Sequence, residues 1–581
     1  LSSALTLFNG WETSSAWGFG TNEQLPSLTI NAVAYRDNDA DGSVDSLDAW
    51  PNNAAASLDA DNDGHPDAWS FACDDQCIMD SGLPALDQFP QYAGAWLDAD
   101  FDGRPDAVNE SCTVNCDLSG LVIDTALADF DNDGLSDVID TDDNNDGILD
   151  VDTDSDGLID IDNLEKLNAM RYQLAGVGLQ LDANSANDSS GCPFVLYQGT
   201  YQQRCIGYEL TQSLNFDSNL DGTLDENDLY WNANDDGLGL GWSPVGTSTQ
   251  YAFSGVFEGN GHLVESLFIN RPTTSGVGLF GYTNQATIKN VGLTGRLSSL
   301  SGNNNVGGIA GHAVSAEIEG VFNTLAIKAS GYGAGLVGRM VSGELSNSFN
   351  SGSVSCTGRY CAGVVGYAQN SYTIVNTFSS GRILGSSTGG LVGNASSYTI
   401  QNSYWATDSS GQVQSSLQNE SASYVGITLA KMRCALIADT TSDNSDCVSA
   451  DGSEENLAAA MTLYSTWDAG IWDFGTAQQL PALKVGASTY RDSDGDGFLD
   501  ADDGMALRIE SSLDADGDGY PDAWNSTCDE QCILASGLQL DFFPNHAGAW
   551  QDDDFDGRPD SINETCTVAC DLADLELDTN P

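Results

Sequence analysis

Between Gly276 and Trp405 the apolar positions of this chain recur in a fixed rhythm: Gly278-Leu-Phe-Gly281, Gly308-Ile-Ala-Gly311, Gly335-Leu-Val-Gly338, Gly363-Val-Val-Gly366 and Gly390-Leu-Val-Gly393. The closing glycines are 30, 27, 28 and 27 residues apart. A second signature follows each: Ile288-x-Asn290, Ile318-x-Gly320-x-Phe322, Leu345-x-Asn347-x-Phe349, Ile374-x-Asn376-x-Phe378 and Ile400-x-Asn402-x-Tyr404. Period-2 spacing within a signature predicts a short strand with these residues on one side. Short strands joined by glycine turns on a coil of this length predict an all-β solenoid, its rungs rising by ~4.8 Å each. Equivalent asparagines should then form an internal ladder that satisfies their own amides. Propeller blades, the rival, run longer at ~40 residues.

Outside this region the pattern changes to aspartate at alternate positions. Asp37-Asn-Asp39-Ala-Asp41-Gly42-Ser-Val-Asp45 sets the form, with Asp48 at the twelfth place. It returns at Asp59/Asp61/Asp63/Asp67, Asp98/Asp100/Asp102/Asp106, Asp129/Asp131/Asp133/Asp137 with Asp140, Asp142/Asn144/Asp146/Asp150 and Asp152/Asp154/Asp156/Asp160. Further on come Asp217/Asn219/Asp221/Asp225 with Asp228, Asp492/Asp494/Asp496/Asp500 with Asp503, Asp514/Asp516/Asp518/Asp522 and Asp552/Asp554/Asp556/Asp560. Asn232/Asn234/Asp236 is a weaker match without the final Asp. Ca²⁺ is a hard cation that takes ~6–8 oxygens, and alternate carboxylates on a tight loop supply them. The glycine after the third ligand permits the sharp turn with positive φ. About ten calcium sites are expected, and without cation the carboxylates of one loop repel by ~1 kcal/mol or more per pair.

The chain also repeats itself at long range. SLDADNDGHPDAWSFACDDQCIMDSGL from Ser57 returns as SLDADGDGYPDAWNSTCDEQCILASGL from Ser512. Trp17-Gly-Phe-Gly-Thr…Leu25-Pro-Ser-Leu28 returns as Trp472-Asp-Phe-Gly-Thr…Leu480-Pro-Ala-Leu483. Such self-similarity marks an extended array. The expected division is residues 1–34 as the end of a preceding solenoid, 35–163 as a calcium-loop array, 164–485 as a solenoid with an N-terminal helical cap, and 486–581 as a second array copying 31–127. The helix is expected from Leu164, with Asp162 or Asn163 as N-cap. A chain opening mid-unit at Leu1 is expected to be a piece of something longer.

The net charge of −68 comes from 86 acidic and 18 basic residues, yet Tyr251–Ala430 is neutral, with seven of each. Nucleic acid is excluded as a partner, since phosphate binding needs a basic surface. No apolar run approaches the ~20 residues of a membrane span. Fourteen cysteines fall into seven neighbouring pairs: Cys73/Cys77, Cys112/Cys116, Cys192/Cys205, Cys356/Cys361, Cys434/Cys447, Cys528/Cys532 and Cys566/Cys570. Proximity predicts disulfides and an oxidising, extracellular compartment. The rival is zinc on Cys73, Cys77, Cys112 and Cys116, against which stand the three-residue spacers and scarce histidines.

The Gly-Leu-Val-Gly elements, with Phe257-Glu-Gly-Asn-Gly-His262 and the Trp472…Leu483 closing element, resemble the GLUG repeat of bacterial surface and secreted proteins. That resemblance covers Leu158 to Leu483. The aspartate loops over Tyr35–Asp162 and Tyr490–Asp560 resemble thrombospondin type 3 repeats, which wrap calcium around little hydrophobic core. The cysteine placement and the Gly-x-Pro-Asp loops depart from that family, so ligand roles carry over at the Asp positions only. Together the resemblances imply a secreted calcium-stabilised structural protein, forming a surface or matrix fibre with copies of itself. The alternative is an adhesin binding glycans or a cell surface through Tyr332, Tyr360, Tyr372 and Tyr398. Parallel β-helices also host polysaccharide-active enzymes, which need paired carboxylates. Glu317, Glu319 and Glu344 sit next to inward-facing positions and read as a solvated face, with His312 and Arg339 the nearest basic groups. No enzyme is expected.

Overall fold

The computed structural model describes residues 16–578 apart from 20–23, 32, 71–72, 74, 99–100, 107–111, 113–120, 125–128, 131–134, 138, 144–148, 198–199, 232–238, 297, 397, 415–423, 434–462, 476–478, 526–527, 529, 562–574 and 576. Two compact units are present: Leu1–Gly157 with Ser189–Cys205, and Leu158–Asp188 with Ile206–Pro581.

The second unit is built on a parallel β-solenoid of about five turns. One wall is a ten-stranded sheet running from Leu158–Ile161 at its edge through Gly207–Leu210, Val256–Glu258, Ala310–Glu319, Val337–Ser346 and Val365–Val375 to Val392–Ala395. A second wall has eight short strands, among them Phe322–Asn323, Phe349–Asn350, Phe378–Ser379 and Ser403–Ala406. A third, of five strands, runs from Ile269–Arg271 to Ile383–Leu384. Register stacks Phe257, Ile288, Ile318, Leu345, Ile374 and Ile400 in one column. That column is buried throughout and forms the aliphatic spine of the core.

The glycine pairs follow from what they face. A Cβ on Gly335 would lie 2.0 Å from the Asn350 side chain, and one on Gly338 would lie 2.3 Å from the Val306 amide. The first glycine therefore leaves room for a side chain crossing the interior. The second lets adjoining rungs touch backbone to backbone.

The Ile-x-Asn-x-Phe signature does not face one side throughout. Asn347, Asn376 and Asn402 have φ of 49°, 49° and 48°, a left-handed corner that asparagine tolerates better than most residues. The corner ends the alternation, so the isoleucine points into the tube. The following aromatic instead joins an apolar layer with Trp467, Trp472, Leu480 and Leu483. Two asparagine ladders result. At the corner, Asn376 Nδ2 donates to Asn347 Oδ1 at 3.2 Å. Inside, beyond what the pattern predicted, Asn323 Nδ2 donates to Asn350 Oδ1 at 2.9 Å.

Asn163 caps the helix Leu164–Ala169, accepting from the Lys166 amide at 2.9 Å. The helix follows the edge strand and buries Leu164 and Leu167. Among the described residues no helix is long and apolar enough to cross a membrane. The antiparallel meander Trp472–Asp473, Ala482–Val485 and Ser488–Tyr490 lies over the phenylalanines in the same unit.

The first unit opens with the matching meander Trp17–Gly18, Ser27–Ile30 and Val33–Tyr35, then runs into turns with few strands. In its packing His65 stacks on Trp96 at 4.2 Å, as Tyr520 stacks on Trp550 at 4.5 Å in the second unit, and Phe101 stacks on Phe194 at 4.4 Å. Disulfides join Cys73–Cys77, Cys192–Cys205, Cys356–Cys361 and Cys528–Cys532 as their proximity predicted. Cys116, Cys434, Cys447, Cys566 and Cys570 lie outside the described residues.

Candidate metal centres

Among the described residues, eight aspartate loops share one backbone bond. The amide of the sixth-position glycine donates to the first aspartate at 3.2 Å for Gly42–Asp37, 3.1 Å for Gly64–Asp59, 3.0 Å for Gly103–Asp98 and 2.9 Å for Gly157–Asp152. The distance is 3.0 Å for Gly222–Asp217 and 2.9 Å for each of Gly497–Asp492, Gly519–Asp514 and Gly557–Asp552. All eight glycines have φ between 80° and 101°, where a Cβ is strained. The ninth-position aspartate closes the turn from the other side: Asp45, Asp67, Asp137, Asp150, Asp500, Asp522 and Asp560 each accept from the amide one residue past the first aspartate.

These bonds occupy one side of the carboxylates and leave another aimed inward. Asp39 Oδ1 accepts from the Asp41 amide and Asp41 Oδ1 from Ser43, while Oδ2 of both is buried with no hydrogen-bond partner. Oδ2 of Asp61 and Asp63, and of Asp516 and Asp518, are in the same condition, as is that of Asp494. Asp37, Asp39 and Asp41 bring ligand atoms within 4.8 Å of one another, as do Asp59/Asp61/Asp63, Asp152/Asp154/Asp156 and Asp492/Asp494/Asp496. Buried anionic oxygens converging without donors fit a hard divalent cation.

The expected ligand positions are not all alike in their surroundings. Asp102 and Asp556 stand at the fifth place, as Asp63 and Asp518 do, but each faces the arginine two residues on. Arg104 Nε lies 3.4 Å from Asp102 Oδ2, and Arg558 Nε lies 4.0 Å from Asp556 Oδ2. His65 and Tyr520 at the matching places bring no such cation, so the Asp102 and Asp556 loops offer an ion less net charge. Asn219 is exposed and acts as a clip on its neighbour, with Nδ2 donating to Asp221 Oδ2 and Oδ1 accepting from the Asp221 amide, both at 3.0 Å. Asp106 is fixed through its backbone: its amide donates to the Leu97 carbonyl at 3.0 Å, as that of Asp67 does to Leu58 at 2.9 Å. Ala99, whose amide would complete the Asp106 closure by analogy, lies outside the described residues.

Four expected ligands arrive from outside the nine-residue loop. Asp48 and Asp503 each have one oxygen held by the amide two residues on, at 2.7 Å to Trp50 and 2.7 Å to Met505. Asp140 receives the Asp142 amide at 3.0 Å. The Asp217 loop departs from the rest, because Asp228 takes the Ser218 amide at 2.8 Å while Asp225 turns to Asn227. Asp160 lies buried on the strand Leu158–Ile161. Asp100, Asp131, Asp133, Asn144, Asp146, Asn232, Asn234 and Asp236 lie outside the described residues.

A further set escaped the sequence pattern. The Gly-x-Pro-Asp loops have no aspartate at the twelfth place, and a distant one is tied to the loop proline instead. The amides of Asp87, Asp124, Asp541 and Asp578 donate to the carbonyls of Pro66, Pro105, Pro521 and Pro559 at 2.9, 3.0, 2.9 and 3.0 Å. Asp87 Oδ1 is held by Phe89 and Asp541 Oδ1 by Phe543, each at 2.7 Å, with Oδ2 buried and unpaired. Burial, reinforced by Asp61, Asp63 and Asp67, pushes Asp87 up to about 7. Burial, reinforced by Asp518, Asp516 and Asp522, does the same to Asp541. The only signal was the recurrence of Asp-x-Phe-Pro, which also fits a simple turn.

The loop of Asp492 differs from its counterpart at Asp37 in burial. Asp492, Asp494 and Asp496 are almost wholly enclosed, whereas Asp37, Asp39 and Asp41 are half-exposed. Arg433 Nε donates to the Ser493 carbonyl at 2.8 Å, and Gly497 sits against the Thr324 carbonyl. Burial holds Asp494 well above the carboxylate range, with Asp496 and Asp492 adding to it, and pushes Asp496 up to about 9.

The solenoid face holds the remaining expected groups. Glu317 and Glu319 are bonded to Lys289 at 3.0 and 3.7 Å, so the nearest base is Lys289 rather than His312 or Arg339. Glu344 is exposed. Tyr332 and Tyr360 stack on each other and on Tyr367, with Arg339 over the Tyr367 ring at 5.7 Å. Tyr372 is buried rather than exposed near a turn, with Tyr398 packed 6.1 Å away.

No family model matches the chain. Halomucin of Haloquadratum walsbyi (strain DSM 16790 / HBSQ001) is 34% identical over 95 residues, 16% of this chain; the match spans 1% of the length of that protein. A solved Bacteroides ovatus protein that carries the name of an immunoglobulin A1 protease shares 14% identity at a TM-score of 0.33, over 58% of this chain and 95% of that one.

Proposed function

We propose that this chain is a secreted, calcium-stabilised structural link in an extended surface or matrix protein, where GLUG-type solenoids alternate with thrombospondin type 3-like loops. The observation that carries the reading is the repeated loop geometry, in which one carboxylate oxygen is held by an amide while buried oxygens converge without a donor. Such loops have little apolar core of their own, so bound Ca²⁺ supplies their folding free energy. The match to halomucin and the solenoid are compatible with this role. The proposed work is mechanical, and Glu317 and Glu319 pair with Lys289 on the solenoid face.

Electron microscopy of the native protein in millimolar Ca²⁺ and after exhaustive chelation tests the reading. Stiff rods in calcium that become slack or collapse in chelator are expected. Compact particles that look the same in both conditions would overturn it.

A further inference from the structure

The two meanders are the same object in different surroundings. Trp17 pairs with Leu28 as Trp472 pairs with Leu483; Leu28 pairs with Tyr35 as Leu483 pairs with Tyr490; Ile30 pairs with Val33 as Val485 pairs with Ser488. Even the brace is shared: Arg36 Nε donates to the Leu25 carbonyl at 2.6 Å, and Arg491 Nε to the Leu480 carbonyl at 2.7 Å. Antiparallel partners point to the same side of a sheet, so Leu28, Ile30, Val33 and Tyr35 form one apolar face.

That face is covered in one copy and bare in the other. Leu480, Leu483 and Val485 are 0, 0 and 8% exposed, whereas Leu25, Leu28 and Ile30 are 49, 37 and 50% exposed. Val33 and Tyr35 add 49 and 43%. What covers the buried copy is on view. Phe322, Phe349 and Phe378 stack almost parallel at 4.9 and 5.2 Å, and the meander lies on that ladder. Tyr490 packs 5.0 Å from the Phe322 ring and its hydroxyl donates to the Gly261 carbonyl. Trp472 packs 5.9 Å from Phe378. The adjoining aspartate loop is enclosed by the same solenoid.

We infer that the meander of Trp17–Gly18, Ser27–Ile30 and Val33–Tyr35, with the Asp37 loop behind it, is a socket for the phenylalanine ladder of another solenoid of this rung type. The paired positions carry the same Trp, Leu and Tyr in identical register (Trp17/Trp472, Leu28/Leu483, Tyr35/Tyr490), with Ile30 for Val485 and the more apolar Val33 for Ser488, and the copy at Trp472–Tyr490 is already seated on such a ladder. A second copy of this chain does not qualify as it stands, because its own ladder is occupied. The inference deepens the reading of the chain as a link between solenoids and rests on it.

The test uses the full chain with a copy of its own residues 158–460 joined ahead of Leu5, so that a second ladder is offered to the socket. Amide hydrogen exchange over residues 24–36 should slow at least tenfold relative to the native chain and approach that of 480–491. Leu28→Asp with Ile30→Asp in the same tandem should restore fast exchange. As a second arm, Leu483→Asp with Val485→Asp in the otherwise native chain exposes its ladder. Mixed with native chain, it should form a complex by sedimentation that Leu28→Asp with Ile30→Asp in the native partner abolishes. Unchanged exchange over 24–36 in the tandem together with no complex in the mixture would overturn the inference. So would a dimer of the native chain that is lost with Leu28→Asp and Ile30→Asp, since the face would then pair with itself. Rods by microscopy without slowed exchange would defeat the socket alone; slowed exchange without rods would defeat the fibre reading alone.

Discussion

The amide of Asp87 donates to the carbonyl of Pro66 at 2.9 Å, which brings a carboxylate from beyond the Cys73–Cys77 disulfide onto the Asp59 loop. Asp541 repeats the arrangement on Pro521. If these loops hold Ca²⁺, each such aspartate supplies an oxygen that the local sequence lacks. Asp87→Asn should weaken one site by about 1–3 kcal/mol and leave the others intact. Native mass spectrometry at limiting calcium should show one ion fewer than the native chain. An unchanged ion count would remove Asp87 from the ligand set.

Asp39 and Asp494 hold equivalent places in loops with the same aspartate and glycine spacing, yet only Asp494 is fully enclosed. A buried charge without a partner is costly, whereas a neutral amide of the same shape is cheap. Asp494→Asn should therefore stabilise the chelated protein by about 1–3 kcal/mol and destabilise the calcium-loaded one. Asp39→Asn should shift the chelated protein far less. Thermal unfolding of both variants with and without calcium checks the reversal of sign. The same sign for Asp494→Asn in both conditions would contradict it.

His312 gives the solenoid its own response to acid. It packs edge-on to Tyr282 at 5.5 Å and neighbours Arg339 in register. Burial, with Arg339 second, lowers its pKa from 6.5 to about 4. Between those values the unfolded chain binds the proton and the folded chain refuses it, so stability falls as pH drops through that window. The loss approaches about 3 kcal/mol at full effect. Buried aspartates with raised pKa act in the opposite direction, so the comparison is with His312→Gln at each pH. The stability difference between the two proteins should change from pH 7 to pH 4; a constant difference would show that His312 does not titrate in this way.

The solenoid was legible because its signal is repeated five times, and every repeat places an aliphatic residue in the Ile318 column. Loop closure was legible for the same reason, through the glycine that turns at positive φ. The outward turn of Phe322, Phe349 and Phe378 was not, because period-2 spacing continues across Asn347 and Asn376 while their left-handed φ breaks it. Asp87 and Asp541 were hidden by distance along the chain, joined to their loops only by a backbone bond to proline. The spacing of aspartates also treats Asp102 and Asp556 like Asp63, since it does not register which way Arg104 and Arg558 turn. The contrast between the Asp37 and Asp492 loops has only a faint signal in sequence: Ser43 and Val44 are replaced by Phe498 and Leu499, and Leu499 joins the buried layer on the solenoid.

Calcium dependence of the acidic array is the centre of the account, and amide hydrogen exchange of the native chain with calcium and with chelator tests it most directly. Removing the ion should raise exchange over residues 35–106 by tenfold or more, because carboxylates such as Asp61 and Asp63 then face one another without a counterion. The rungs between Gly276 and Trp405, held by the Ile318 column and the Asn323–Asn350 bond, should keep their protection. Equal protection of the array in both conditions would contradict the account.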